Sequence, residues 1–216
     1  HDAGLTEGEP RLFHTNQFMI RTDGENAEFG SITATDEEFF YPWRDIFPEK
    51  YRTYTPPLGK ERAQEKLIQG MLPKETLLDI IRTSSVFMEV GSTKVKIVCR
   101  YQQYRAMCKI IERLRTGGTP DERSGVIWHT QGSGKSFSMA FFTQKVHRKL
   151  GGDFTFLVLT DRTDLDNQIY KTFASVGLAN NDVDPCRAAS ARGLRDLLSQ
   201  QKKTVFAMIQ KFTDQQ

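Results

Sequence analysis

The spacing of apolar and polar positions divides the chain into a β-rich start, a helical middle and a strand–helix alternation that runs to the end. Leu12 to Thr35 reads as β, with Phe18–Thr22 and Glu28–Thr33 flanking the turn dipeptide Asp23-Gly24. Glu37 to Tyr51 is dense in aromatics: Phe39, Phe40, Tyr41, Trp43, Phe47 and Tyr51. This stretch reads as a packing cluster that docks a neighbouring domain. With only Arg44, Lys50 and Arg52 nearby it makes a poor base-stacking groove. Tyr54-Thr-Pro-Pro-Leu-Gly59 is a breaker segment and the natural linker. Lys60 to Gln69 follows as a helix ending at Gly70. A second helix starts at Pro73, a residue suited to a first helical position, and carries Leu77, Leu78, Ile80 and Ile81. Val86–Val90 and Lys94–Val98 read as a hairpin across Gly91-Ser-Thr. Arg100 to Arg115 is helical, with Tyr104, Cys108, Ile111 and Leu114 near one face, and Gly117 to Asp121 breaks it.

The rhythm then changes. A strand is predicted over 125–129 and a helix over Phe137–Leu150. A buried-type strand follows over Phe154–Thr160, then helices over Leu165–Ala174 and Ala189–Gln200, the latter with Leu194, Leu197 and Leu198 as its apolar side. Thr204 to Ile209 reads as a further core strand. Strands alternating with helices predict a parallel sheet covered on both faces. The sheet edge left after Ile209 predicts poor solubility of the chain by itself. No internal repeat or low-complexity stretch interrupts the pattern.

Composition narrows the class without naming a function. The chain has 216 residues, 38% hydrophobic and 26% charged, which suits a globular domain and part of another. A net charge of +3 is a weak pointer to nucleic acid. Cys99, Cys108 and Cys186 show no metal-ligand spacing and read as reduced thiols of a cytoplasm. His1, His14, His129 and His147 form no cluster, so no zinc site is expected. No apolar run approaches the about 20 residues that cross a bilayer, and no signal peptide is visible, so no membrane partner is expected. The start at His1 and the end at Thr213-Asp-Gln-Gln216 suggest a piece of a longer protein.

The run His129-Thr-Gln-Gly-Ser-Gly-Lys-Ser136 carries the chemistry. It lies between the apolar stretch Gly125–Trp128 and a helical stretch, the order a triphosphate-binding loop requires. Gly132 and Gly134 let the backbone turn tightly and aim N–H groups at phosphate oxygens, and the helix adds the positive end of its dipole. Lys135 is placed to reach the β and γ phosphates, and the Ser136 hydroxyl to ligate Mg²⁺ held by the nucleotide. The expected ATP-binding set is Thr130, Gln131, Gly132, Ser133, Gly134, Lys135, Ser136 and Phe137, with Lys135 and Ser136 also catalytic. The strict motif has Gly where this chain has His129, a departure that fits the looser loop of superfamily 2 helicases and translocases.

Two weaker signals flank the loop. Arg100-Tyr-Gln-Gln-Tyr-Arg-Ala106 lies about 30 residues before the lysine. A glutamine amide can pair with adenine N6 and N7 together. Gln103 fits that role better than Gln102; the plainer alternative is a polar helix face. Downstream, Leu159-Thr-Asp-Arg-Thr-Asp-Leu-Asp166 takes a strand end into a loop with helix N-cap residues at Thr163 and Asp164. Arg162 is the candidate contact to a nucleic-acid phosphate, the plain alternative being a strand-to-helix turn. Asp161, Asp164 and Asp166 would repel phosphates, so contact falls to Arg162 and backbone N–H groups.

Together these stretches resemble the restriction (R) subunit of type I restriction–modification enzymes. The two specific blocks are Trp128 to Ser136 and Thr160 to Asp166. Phe13–Gln17 with Gly30–Ala34, Ile68–Lys74 through Phe87, Tyr101–Ala106 and Ile209–Phe212 support them. The resemblance implies an α/β chain: a RecA-like P-loop parallel sheet with flanking helices, preceded by the C-terminal part of an α/β nuclease domain. Residues 1–55 would end the nuclease domain, and 56–216 would form most of the first motor domain. It further implies ATP and Mg²⁺ as cofactors, double-stranded DNA and the modification (methyltransferase) and specificity subunits as partners, and the cytoplasm of a bacterium or archaeon as location. The parent would couple ATP hydrolysis to DNA translocation and cut far from its recognition sequence.

The departures bound that expectation. The family's nuclease Asp and Glu-x-Lys lie upstream of Phe13, and its Asp-Glu-x-His lies downstream of Phe212; neither is in this chain. Where the family has a DNA-touching Thr before Ile-Gln-Lys-Phe, this chain has Met208. The chain supplies the phosphate cradle, and by itself is expected to bind ATP weakly without hydrolysing it or cutting DNA. A free-standing superfamily 2 helicase and a non-hydrolysing nucleotide-binding module are the rival readings.

Overall fold

The computed structural model describes residues 15–34, 36–52, 62–180 and 182–212. The expected linker over 54–59 and the match at Phe13–His14 lie outside them. Two compact units divide the chain. The described residues up to Val86, with Val95–Gly125, form one; Phe87–Lys94 and the described residues from Val126 onward form the other.

The first unit opens with a hairpin. β1 (Phe18–Thr22) pairs antiparallel with β2 (Ala27–Ser31), in register from Phe18↔Ser31 to Thr22↔Ala27. Asp23 closes the turn: its Oδ1 accepts the Asn26 N–H at 2.7 Å, and Gly24 takes φ 96°. β3 (Tyr41–Pro42) joins β2 through Phe29↔Tyr41. The aromatic stretch is indeed a packing cluster. Trp43 is buried, its ring 5.7 Å from Phe29 on one side and 6.0 Å from Tyr104 on the other. The surface it meets belongs to helices of its own unit.

Those helices are α1 (Ala63–Met71), α2 (Lys74–Thr83) and α3 (Tyr101–Thr116), with β4 (Ser85–Val90) and β5 (Thr93–Val98) paired between the last two. Pro73 stands one position before the expected place, as N-cap of α2, and Lys74 is the first helical residue. Gly70 is not the stop that ends α1; it lies inside the helix. A Cβ there would stand 2.2 Å from the Asp45 carbonyl oxygen and 2.5 Å from Trp43 Nε1, so the glycine marks a close approach of chain to helix. Leu67, Met71, Ile80, Met107 and Ile111 complete this core. Within it Asp79 accepts from Tyr104 Oη at 3.0 Å and from Thr83 Oγ1 at 3.0 Å, so the buried carboxylate is satisfied. The break after α3 is shorter than expected: a capping box on Thr119 and Glu122 starts a further turn, α4 (Pro120–Arg123).

The second unit is the strand–helix alternation. β6 (Phe156–Thr160) and β7 (Thr204–Met208) pair in parallel from Phe156↔Thr204 to Thr160↔Met208. On the other side of β7 a single parallel bridge joins Arg187 to Phe206. The period of two sends alternate side chains to opposite faces. On one face Val158 and Phe206 pack with Ala140 of α5 (Lys135–Lys149) and with Ile169 and Phe173 of α6 (Thr163–Ser175). On the other, Val205 and Ala207 pack with Leu194 and Leu197 of α7 (Ala191–Leu198). The expected parallel, two-faced sheet is therefore present, with two strands and one bridge among the described residues.

The strand predicted over 125–129 is not formed. A strand needs a neighbouring ladder, and among the described residues nothing pairs with this stretch. Val126 and Trp128 are each 90% exposed. Among the described residues no helix is long and apolar enough to cross a membrane.

Candidate functional site

Residues 129–137 form a glycine loop running into α5. Gly132 and Gly134 take φ 76° and 79°, the left-handed region that suits glycine. A Cβ on Gly132 would meet nothing within 4 Å, so its requirement is conformational rather than steric. Gly134 is the N-cap of α5, and no side chain caps that end. The first i−4 bond of the helix runs from Ser138 N–H to the Gly134 carbonyl, 3.0 Å. The N–H groups of Lys135, Ser136 and Phe137 therefore lie ahead of the helical ladder, and no acidic residue stands in the first turn to repel an anion. Ser133 N–H donates to the Thr130 carbonyl at 3.3 Å, which closes the loop on itself.

Lys135 completes this arrangement. Its Nζ donates to the carbonyls of His129 at 3.1 Å and Thr130 at 2.9 Å, so the ammonium lies across the start of the loop. Gln131 is exposed, and Ser136 and Phe137 are half-buried at the head of α5. Backbone donors, a helix dipole and an ammonium converge within nine residues, the donor set a polyphosphate needs. The Ser136 hydroxyl, one residue past the lysine, is a hard oxygen of the kind Mg²⁺ takes.

The loop after β6 is pinned from several sides. Arg162, not Thr163 or Asp164, is the N-cap of α6, and those two residues form its first turn. The Arg162 side chain is 80% exposed, with Asp161 Oδ2 3.6 Å away. Gln210 Nε2 donates to the Asp161 carbonyl at 3.0 Å, tying this loop to the turn after β7. Asp166 is buried. It accepts from Thr160 Oγ1 at 3.2 Å and pairs with Arg187, whose guanidinium also reaches Asn167 Oδ1 at 2.7 Å and lies 4.8 Å over the Tyr170 ring. Sequence reading passed over Arg187, which sits in no local pattern and meets its partner 21 residues away.

Gln103 belongs to the first unit and the glycine loop to the second. Gln103 is buried, and its Oε1 accepts the Arg100 N–H at 2.8 Å as the N3 member of a capping box. Neighbouring side chains fix the first turns of α3: Arg100 lies 3.9 Å over the Tyr41 ring, and Arg105 pairs with Asp45 at 2.6 Å.

Residues 102–216 match the SWI2/SNF2 ATPase family. The chain is 37% identical over 209 residues to the type I restriction enzyme HindI endonuclease subunit of Haemophilus influenzae, an alignment covering 93% of this chain and 19% of that protein. It is 31% identical over 224 positions to the putative type I restriction enzyme MjaIXP endonuclease subunit of Methanocaldococcus jannaschii, covering 94% and 20%. A second protein of that archaeon, the putative MjaVIIIP endonuclease subunit, is 27% identical over 175 residues, covering 79% and 16%. The chain spans about a fifth of the length of the first two relatives.

Proposed function

The chain belongs to the SWI2/SNF2 ATPase family, and from that membership we propose that it is the ATP-binding portion of a type I restriction enzyme R subunit. The observation that carries this is the glycine loop with Gly134 as N-cap of α5 and Lys135 across its start, inside the stretch that matches the family. Thr130, Gln131, Gly132, Ser133, Gly134, Lys135, Ser136 and Phe137 cradle the phosphates. Backbone N–H groups hold the oxygens, and Lys135 leaves the carbonyls of His129 and Thr130 to neutralise the β and γ phosphates. Ser136 holds Mg²⁺, which supplies further neutralisation of phosphate charge when bound. Gln103 is the residue assigned to the adenine edge, whose N6 and N7 a carboxamide can pair together. Arg162 meets a phosphate of double-stranded DNA.

In the parent enzyme these parts serve an ATP-driven motor. It translocates double-stranded DNA and cleaves it away from the recognition sequence, in company with modification and specificity subunits in a bacterial or archaeal cytoplasm. Residues 1–55 are assigned to the end of the nuclease domain, and 56–216 to a RecA-like motor domain. Packing does not follow that functional division, because β2 and Trp43 share a core with α1 and α3.

Lys135→Ala tests the reading. The two carbonyls it vacates lie at a half-buried and an exposed residue and take water, so stability changes little. Nucleotide affinity, measured by titration calorimetry with ATP–Mg²⁺, should fall at least about 100-fold, the loss of charge-assisted contacts to two phosphates. Equal affinity in the variant sinks the assignment. In the parent, ATPase activity that rises with DNA excludes a passive nucleotide sensor. Dependence on methyltransferase and specificity subunits excludes a free-standing helicase.

A further inference from the structure

We infer that Arg187 is a positioning residue for Arg162: it fixes the loop through which Arg162 meets a DNA phosphate. The inference rests on the DNA contact assigned to Arg162 above. Its starting point is Asp166, buried in the second unit and placed where three segments meet. One carboxylate oxygen accepts from Thr160, the last residue of β6, and the other accepts from Arg187. The carboxylate therefore ties the end of β6 to the start of α6, across the loop that carries Asp161 and Arg162. Arg187 is held in turn by β7. The flanking Cys186 carbonyl accepts the Phe206 N–H at 2.7 Å, and the Ala188 N–H donates to the Phe206 carbonyl at 2.8 Å. Asn167 and Tyr170 fix the plane of its guanidinium.

Such a pair is a poor source of stability, because desolvation of both charges offsets most of their attraction. What the planar guanidinium does supply is geometry: Nη2 donates to both Asp166 and Asn167 while the group lies over the Tyr170 ring. Geometry matters here because Arg162 works among acidic neighbours that repel phosphate. Asp161 stands beside it in the loop and Asp164 in the first turn of α6, and Asp166 would add a third negative charge without Arg187. A phosphate can approach only along the direction in which the Arg162 guanidinium leads the carboxylates. The loop backbone is pinned at Thr160, at Asp161 through Gln210, and at Asp166, while the Arg162 side chain stands 80% exposed. A pinned backbone with a projecting cation is a presented contact.

The test uses the parent enzyme and reads ATPase activity against duplex DNA concentration. Arg187→Gln alone strands a buried carboxylate, so the paired change Asp166→Asn with Arg187→Gln carries the experiment. It leaves net charge unchanged and retains a hydrogen-bond acceptor for Thr160. The expected result is an unchanged basal ATPase rate and ATP KM. The DNA concentration for half-maximal stimulation should rise about tenfold, equivalent to one charge-assisted hydrogen bond. In an Arg162→Ala background the paired change should add less than about twofold, since the two act through one contact. Arg187→Lys keeps Asp166 paired but loses the planar group over Tyr170, and should show a smaller shift in the same direction. Unchanged half-saturation in the paired variant, with Arg162→Ala still weakened, overturns the inference and leaves the DNA contact standing. Equal shifts in both backgrounds also overturn it, because Arg187 would then act independently of Arg162. No effect of Arg162→Ala removes the DNA contact itself.

Discussion

Placing a methyl group at position 70 offers a sharp test of the first unit, because two general expectations oppose each other there. In a helix interior Gly→Ala ordinarily stabilises by about 1 kcal/mol, since glycine loses more backbone freedom on folding. Here the added Cβ of Gly70→Ala would lie 2.2 Å from the Asp45 carbonyl oxygen, 2.5 Å from Trp43 Nε1 and 2.8 Å from Trp43 Cδ1, where ordinary contact begins near 3.4 Å. The chain over 43–45 must retreat from α1 by more than an ångström. One of the obstacles is backbone, which cannot swing aside as a flexible side-chain tip can. Overpacking costs about 1–3 kcal/mol, and a clash this deep lies at the upper end. Setting that against the propensity gain leaves a net loss of about 2 kcal/mol. Urea unfolding followed by tryptophan emission reads it cleanly. Trp43 is 2% exposed and Trp128 90% exposed, so the emission change on unfolding reports the Trp43 core. With m between about 1 and 3 kcal/mol/M, the midpoint should fall by roughly 1 M. A midpoint that stays or rises would refute the close approach of the 43–45 segment to α1.

Further outcomes are expected at Tyr104 and at Ser190. Tyr104→Phe removes the hydroxyl that donates to buried Asp79 and should cost about 1–3 kcal/mol in the same urea assay. Burial chiefly, with Cys108 and Asp79 beside it, holds the Tyr104 phenol far above its ordinary value of 10.0. The folded state therefore keeps a proton that the unfolded state gives up, and stability falls as pH rises beyond about 10. The phenylalanine variant should show a shallower alkaline decline in pH-dependent melts, by up to about 1.4 kcal/mol per pH unit; an identical slope contradicts the buried phenol. Ser190 Oγ accepts the Gly193 N–H at 3.0 Å and caps α7, so Ser190→Ala should cost about 1 kcal/mol and Ser190→Gly only a few tenths, compared by thermal melts.

Much of the fold could be read from neighbours in sequence, and the exceptions share a cause. Asp23-Gly24 set the first hairpin because a turn is a local problem. The rhythm of Phe156–Thr160 and Thr204–Met208 set two parallel strands because buried strands read as continuous apolar runs. The glycine loop was legible for the same reason, its two left-handed positions being local demands of the backbone. Gly70 was misread because a glycine near a helix end usually stops the helix. Its true constraint comes from Asp45, 25 positions earlier in the chain. Gly125–His129 was misread because an apolar run shows β propensity and says nothing of a pairing partner. Arg187 carried no signal at all, since its role exists only once β7 has brought residues 186–188 to the side of α6.

The packing of Trp43 between Phe29 and Tyr104 has a consequence for how this protein could be cut or exchanged. The breaker-rich stretch over 54–59 invites division there, and a function-based partition would use it. Yet Phe29, Trp43 and Ile46 lie on one side of that point and Leu67, Met71 and Tyr104 on the other, all in the same buried core. A half beginning at residue 56 would present a bare apolar face to water, and the half before it would lose the surface it folds against. Recombination between related chains would succeed only where both sides of the core travel together. The unit of inheritance here is the packed core, and a crossover near Gly125, beside the glycine loop itself, keeps that core whole while parting Phe87–Lys94 from the second unit.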